Sequence, residues 1–128
     1  AYGLDELHTL ARIAKEHSLP VHMDGARFAN ALARMNCSPA DMSWKAGIDV
    51  LSFGMTKNGA LAAEAVIFFN PEQAEDFDYR RKRSGHLLSK HRLLVAQTEA
   101  MLENNLWLKN AKHANEMADY LVEKAKLK

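Results

Sequence analysis

The first 70 residues alternate amphipathic helical segments with short apolar segments, and this alternation constrains the fold more than any other feature. Apolar residues recur at helical spacing over residues 4–17 and again over residues 25–35. The apolar segments 21–24, 49–54 and 61–69 are too short for helices, and Pro, Gly or Asn lie at their ends. The order helix, strand, helix, strand, strand predicts an α/β fold with a mainly parallel sheet.

Two of these segments carry more specific expectations. The sequence SPADMSWKAGI predicts a short helix that Ser38 caps and Gly47 closes. The almost wholly apolar segment 61–69 is typical of a strand that is covered on both faces.

After residue 70 the strand pattern disappears and the sequence becomes helical. Residues 71–83 predict one helix, and residues 87–128 predict one or two long helices with a break near Asn104–Asn105. We therefore expect two parts. Residues 1–70 would belong to a large α/β domain, and residues 71–128 would form a helical segment that leads toward a separate lobe.

Length and composition fit a single modest core with no strong bias toward a charged partner. The chain has 128 residues, a net charge of +1 and 48 % hydrophobic residues, without an apolar run of about 20 residues. The lone Cys37 excludes an intrachain disulfide and fits a reducing, cytoplasmic location. Because the sequence lacks a first methionine and stops within a helical pattern, we expect a central piece of a longer protein.

Two polar residues follow neighbouring strand segments. Asp24 ends the first strand, and Lys57 follows the second within SFGMTKNGA, where no acidic residue lies from 51 to 63. Ligands of open α/β sheets bind at the carboxyl ends of strands. An acid that keeps a ring nitrogen protonated and an amine that attacks an aldehyde are what a pyridoxal phosphate enzyme needs. Spacing alone leaves Asp24 open as a helix cap and Lys57 as a solvated loop lysine.

Three segments resemble one enzyme family. HMDGARFANA at residues 22–31 closely resembles the DGAR segment of the low-specificity threonine aldolases, and SFGMTKNGA at 52–60 resembles their cofactor-lysine segment. RRKRSGHLLSKHR at 80–92 is similar to the arginine-rich segment that follows. That family belongs to the beta-eliminating lyases, which are pyridoxal phosphate enzymes of the aspartate-aminotransferase-like fold. The resemblance extends over essentially the whole chain.

The resemblance implies a role for four residues. Asp24 would pair with the pyridine nitrogen of the cofactor, Arg27 would reach its 3'-oxygen, and Lys57 would bind its aldehyde covalently. Lys82 would lie on the substrate side of the pocket. The implied reaction is cleavage of threonine or a related β-hydroxy-α-amino acid to glycine and an aldehyde, in a homo-oligomer (dimer or tetramer). We expect the 128-residue piece to be inactive alone.

Other interpretations stay open. β-elimination or transamination would use the same cofactor, and an isolated piece could be an α/β module that binds no cofactor. In the resemblance to that family, Ser89 would stand where many members carry an arginine, and either Lys90 or Arg92 could replace it. The histidines and Cys37 lack metal-ligand spacing, so we expect no metal site. The basic run 80–83 without interleaved aromatic residues does not indicate a nucleic-acid partner.

Overall fold

The computed structural model describes residues 2–126, which contain a three-stranded sheet and five α-helices. The strands are β1, His22–Gly25; β2, Val50–Gly54; and β3, Glu64–Phe68. The α-helices are α1, Leu4–Glu16; α2, Phe28–Met35; α3, Phe77–Arg83; α4, Arg92–Leu102; and α5, Leu106–Ala125. Short 3-10 turns occur at Trp44–Ala46, Thr56–Asn58, Pro71–Ala74 and Glu103–Asn105. The predicted α/β class is confirmed.

The sheet has the order β1-β2-β3 and contains one parallel and one antiparallel pair. β1 runs parallel to β2, with Asp24 opposite Ser52, whereas β3 runs antiparallel to β2, with Gly54 opposite Glu64. The β1–β2 connection contains helix α2, the usual form of a crossover between parallel strands. Residues 55–63 between β2 and β3 are too few for such a crossover, so the chain returns antiparallel.

The core centres on β2 and on one face of the sheet. Phe53 lies edge-on to Phe28 of α2 and to Trp107 of α5, with ring centroids 6.0 and 5.5 Å apart. Edge-to-face contacts of this kind add to the free energy gained from burial. α5 therefore packs back over β2 and α2, although it lies far along the chain.

β3 is less buried than its apolar sequence predicts. Val66 is 44 % exposed and Ile67 is 36 % exposed. The expectation that this strand is covered on both faces is wrong for the part of the chain that the structure describes. β3 forms an edge of the sheet there, and the aromatic contacts of the core lie over β2 instead.

Two predicted helices are shorter than the sequence pattern indicates. The 38–48 segment forms turns and the 3-10 turn Trp44–Ala46 rather than an α-helix, and within it the Ser43 hydroxyl donates to the carbonyl of Pro39 (2.6 Å). Gly47 closes the turn as predicted, with φ of 92°. The predicted 71–83 helix is divided by Asp76, whose φ of 63° is left-handed.

The predicted break between the last two helices is confirmed. Asn104 and Asn105 have φ of 51° and 56°, in the left-handed region that asparagine tolerates better than most residues. α4 begins at Arg92 rather than at residue 87, since Gly85 (φ 76°) ends the preceding helix and Leu87 and Leu88 are exposed. No helix within residues 2–126 combines the length and the apolar character needed to cross a membrane.

Polar pairs fix α5 on α2. The Arg34 guanidinium donates to both carboxylate oxygens of Asp119, at 2.8 and 2.9 Å. Asn30 and Asn115 exchange hydrogen bonds, because Asn30 donates to the Asn115 side-chain oxygen (3.2 Å) and Asn115 donates to the Asn30 carbonyl (2.9 Å). The hydrogen bonds from Arg34 and its positive charge lower the pKa of Asp119. The same hydrogen bonds and the negative charge of Asp119 raise the pKa of Arg34.

The lowered pKa of Asp119 gives a stability that depends on pH. A carboxylate with a lower pKa in the folded state stabilises the fold above its unfolded pKa of about 3.9, and this stabilisation is lost as pH falls through the folded pKa. We expect Asp119→Asn to lower the free energy of unfolding modestly at pH 7, since the pair is exposed. Urea unfolding should show the difference shrinking below about pH 4. If the difference in unfolding free energy between wild type and Asp119→Asn grew as the pH fell below about 4, this prediction would be wrong.

Candidate active site

Asp24 lies at the carboxyl end of β1, where the chain turns into α2. Its carboxylate oxygen Oδ1 accepts a hydrogen bond from the backbone N–H of Ala26 at 3.0 Å, which is an Asx turn. Arg27 occupies the N-cap position of α2, and no side chain forms a capping hydrogen bond at that end of the helix. Asp24 is therefore not the cap of α2, and its exposed side chain remains available at the edge of the sheet.

Two glycines bring the end of β2 against this turn. A Cβ atom on Gly54 would lie 2.7 Å from the Cα and 3.0 Å from the carbonyl oxygen of Ala26. A Cβ on Gly25 would lie 2.6 Å from the carbonyl oxygen of Ser52. Only glycine permits backbones to approach this closely. The turn that carries Asp24 and the strand that leads to Lys57 therefore meet at one edge of the sheet.

Lys57 lies in the 3-10 turn Thr56–Asn58, directly after β2, and its side chain is exposed. The ion pairs formed among residues 2–126 do not include Lys57, Arg27 or Asp24. Met55, the bulky neighbour on this loop, is only 1 % exposed and anchors it in the core. The amine is thus presented on an anchored loop without a carboxylate partner from the described chain.

Contacts from distant segments also hold this loop. The Asn58 side chain donates to the carbonyl of Trp107 at 2.8 Å, and the Asn110 side chain donates to the carbonyl of Asn58 at 3.0 Å. On α4, the Gln97 side-chain oxygen accepts from the backbone N–H of Leu61 at 2.7 Å. Helices α4 and α5 therefore form part of the support for Lys57.

Sequence reasoning missed two polar features beside the site. The Glu64 carboxylate accepts from the backbone N–H of Thr56 at 3.3 Å, because the antiparallel register places Glu64 opposite Gly54. His22 and Ser52 form a hydrogen bond of 2.8 Å between Nε2 and Oγ, on the sheet face that also carries Asp24. A hairpin reading of segments 49–54 and 61–69 would have found Glu64.

The other predicted residues are exposed in the part of the chain that the structure describes. Arg27 is exposed at the start of α2, and its carbonyl accepts the first helical hydrogen bond from Ala31 at 3.1 Å. Lys82 is exposed on α3, and among residues 2–126 no hydrogen bond or ion pair joins its side chain to Asp24, Arg27 or Lys57. Lys90 and Arg92 are exposed at the start of α4.

The described chain leaves this edge open. A groove of about 780 Å³ lies instead at the opposite ends of β1 and β2, where Arg12, Lys15 and Asp49 are among its lining residues. At the candidate site, an exposed carboxylate, guanidinium and amine follow the ends of two parallel strands. This set of groups can bind a ligand that carries both an aldehyde and a basic nitrogen.

Comparison with known proteins agrees with the resemblance predicted from the three sequence segments. The chain is 53 % identical over 122 residues to a low-specificity L-threonine aldolase of Pseudomonas aeruginosa, which covers 95 % of this chain and 35 % of the relative. It is also 53 % identical over 120 residues to the enzyme of the same name from a Pseudomonas species, covering 94 % of this chain and 35 % of the relative. The chain thus spans about a third of the length of these curated relatives.

The fold agrees as well. The structure matches that of a threonine aldolase from Leishmania major with a TM-score of 0.87 and 32 % sequence identity, over 99 % of this chain and 38 % of the other. The protein-family model described as "Beta-eliminating lyase" matches residues 1–128. The chain belongs to the beta-eliminating lyase family.

Proposed function

We propose that the full-length protein is a pyridoxal phosphate-dependent lyase that cleaves L-threonine, or a related β-hydroxy-α-amino acid, to glycine and an aldehyde. The observation that carries the proposal is the placement of Asp24 and Lys57 after neighbouring parallel strands, held at one edge by the contact of Gly54 with Ala26. The names of the relatives supply the reaction. The four proposed site residues remain Asp24, Arg27, Lys57 and Lys82.

The donor set at this edge fits the cofactor. Asp24 has a second carboxylate oxygen beyond the one held by Ala26, and that oxygen can hold a proton on a ring nitrogen. Lys57 forms no ion pair with a carboxylate of the described chain, so its amine is left available to a ligand. Because Gly25 and Gly54 lack side chains, the turn that carries Asp24 packs directly against the strand that leads to Lys57.

Each residue has a separate task in the proposed reaction. When bound, pyridoxal phosphate would supply an electron sink for the pair left at the α-carbon once the Cα–Cβ bond breaks. Asp24 keeps the proton on the ring nitrogen, and the cationic Arg27 stabilises negative charge on the ring oxygen. Lys57 Nζ would hold the cofactor covalently through its aldehyde carbon. Lys82 would orient the amino acid substrate.

The wider setting is part of the same proposal. We propose a cytoplasmic homo-oligomer, dimer or tetramer, that acts on a small amino acid and has no nucleic-acid or membrane partner. Residues 1–70 would form part of the large cofactor-binding domain. Residues 71–128 would lead toward the small domain. The net charge of +1 and the free Cys37 support this setting.

One product analysis tests the proposed reaction. Full-length protein with pyridoxal phosphate and L-threonine should release glycine and acetaldehyde in equal amounts, since one Cα–Cβ bond breaks per turnover. The 128-residue chain, assayed in parallel, should release neither. Ammonia and a keto acid without aldehyde would instead establish β-elimination, the alternative that the description of the matching family favours.

A further inference from the structure

The lysine loop and α5 exchange two side-chain hydrogen bonds. Asn58, directly after Lys57, donates through Nδ2 to the carbonyl of Trp107 at 2.8 Å. In return, Asn110 donates through Nδ2 to the carbonyl of Asn58 at 3.0 Å. Both bonds are partly buried, so water replaces them poorly when they are lost. We call this reciprocal pair the Asn58–Asn110 clamp.

The neighbouring residue fits the clamp closely. Gly59 has φ of 121°, and a Cβ atom there would lie 3.0 Å from Nδ2 of Asn110 and 3.7 Å from Sδ of Met101. A glycine at this position therefore allows the Asn110 amide to reach the loop backbone. The loop is shaped to receive this amide, which distinguishes the clamp from a chance surface contact.

The position of Lys57 depends on its backbone. Its side chain is exposed and forms no ion pair within residues 2–126, so no charged partner fixes the amine. The backbone is held on each side of it: Thr56 donates to Glu64 (3.3 Å), and Asn58 accepts from Asn110 (3.0 Å). A reacting group that is misplaced by about 1 Å can lose on the order of 100-fold in rate.

We propose that Asn110 is a positioning residue, which acts through the Asn58 backbone to aim the Lys57 amine at an aldehyde. This inference deepens the proposed function and rests on it, because it assumes that Lys57 is the group that reacts. Asn110 lies 53 positions along the chain from Lys57, so it reaches the lysine loop only because the fold packs α5 against that loop.

A second pair on the same helix provides a matched control. Asn115 donates through Nδ2 to the Asn30 carbonyl at 2.9 Å, as Asn110 does to Asn58, and accepts from the Asn30 side chain at 3.2 Å, but this pair joins α5 to α2 rather than to the lysine loop. If Asn110 only secures α5, loss of Asn115 should have the same consequences as loss of Asn110. If Asn110 positions Lys57, loss of Asn110 should slow the reaction of Lys57 with the cofactor, whereas loss of Asn115 should not.

The experiment compares full-length wild type, Asn110→Ala, Asn110→Asp and Asn115→Ala, each first freed of cofactor. On mixing with pyridoxal phosphate, the absorbance of the lysine-bound cofactor should appear about tenfold more slowly in Asn110→Ala. Asn110→Asp should be slow as well, because its carboxylate would face the Asn58 carbonyl instead of donating to it. Asn115→Ala should stay within about twofold of wild type.

Amide hydrogen exchange of the cofactor-free proteins provides a second measurement. Residues 56–61 should exchange about tenfold faster in Asn110→Ala, whereas Asn115→Ala should leave their exchange unchanged. Equal slowing of cofactor binding by Asn110→Ala and Asn115→Ala would overturn the positioning role. If wild type never develops the absorbance, the proposed function fails, and the exchange comparison alone then decides whether the clamp orders the loop.

Discussion

Replacement of Lys57 by alanine is expected to abolish the absorbance of lysine-bound cofactor near the blue edge of the visible range. The same change should lower turnover of threonine by about 1,000-fold or more, as removal of a covalent catalyst commonly does. The structure gives the physical reason. Lys57 is the lysine on the anchored turn directly after β2, the strand whose end packs against the turn that carries Asp24.

A second lysine variant controls for effects of lysine removal that do not depend on the site. Lys112→Ala removes an exposed lysine of α5 whose weak contact with Glu116 is 3.9 Å long, so absorbance, turnover and unfolding should remain close to wild type. Because Lys57 is exposed, its own replacement should also leave the free energy of unfolding nearly unchanged. If Lys57→Ala retains the absorbance, another amine holds the cofactor and the site assignment is wrong.

Local sequence patterns were sufficient for the elements that position Asp24 and Lys57. Helical spacing, short apolar segments and the flanking Pro, Gly and Asn residues indicated α1, β1, α2 and β2 in the correct order. The parallel β1–β2 pair follows from the helix between the strands. These features depend on residues that are close in sequence, so a pattern within a short window reveals them.

Features that join distant segments were not accessible in the same way. The Asn58–Asn110 clamp links positions 52 residues apart, and Arg34 pairs with Asp119 across 85 residues. Asparagine and aspartate on a helix are ordinary surface residues until the partner is known. The exposure of β3 and the proximity of Glu64 to the loop depend on strand direction, which the apolar pattern of segment 61–69 does not encode.

Gly54 shows what the structure adds to the sequence. From the sequence, the small residues around Lys57 can be interpreted as room for a ligand. The structure gives Gly54 a more specific role. Its missing Cβ is where the backbone of Ala26 lies. The small residue therefore sets the separation between the turn of Asp24 and the strand that leads to Lys57.

Gly54→Ala is accordingly expected to have the second large effect. The new Cβ would lie 2.7 Å from the Cα and 3.0 Å from the carbonyl oxygen of Ala26, and neither is the movable end of a side chain. β2 and the 24–27 turn must therefore move apart. We expect the free energy of unfolding to fall by about 1–3 kcal/mol, as overpacking commonly costs. Turnover should fall by about 100-fold beyond any loss of folded protein, because Asp24 and Lys57 no longer keep their spacing.

The matched control is Gly3→Ala, because a Cβ there would meet only the flexible Glu6 carboxylate at 3.6 Å. Its unfolding free energy should fall by no more than about 1 kcal/mol, since Gly3 is the N-cap of α1 and alanine caps a helix less well than glycine, with turnover retained. Urea unfolding and threonine turnover, measured on the same preparations, separate the two consequences of Gly54→Ala. Reduced stability with unchanged turnover would mean that the approach of β2 to the 24–27 turn supports the fold without setting the spacing of the reacting groups.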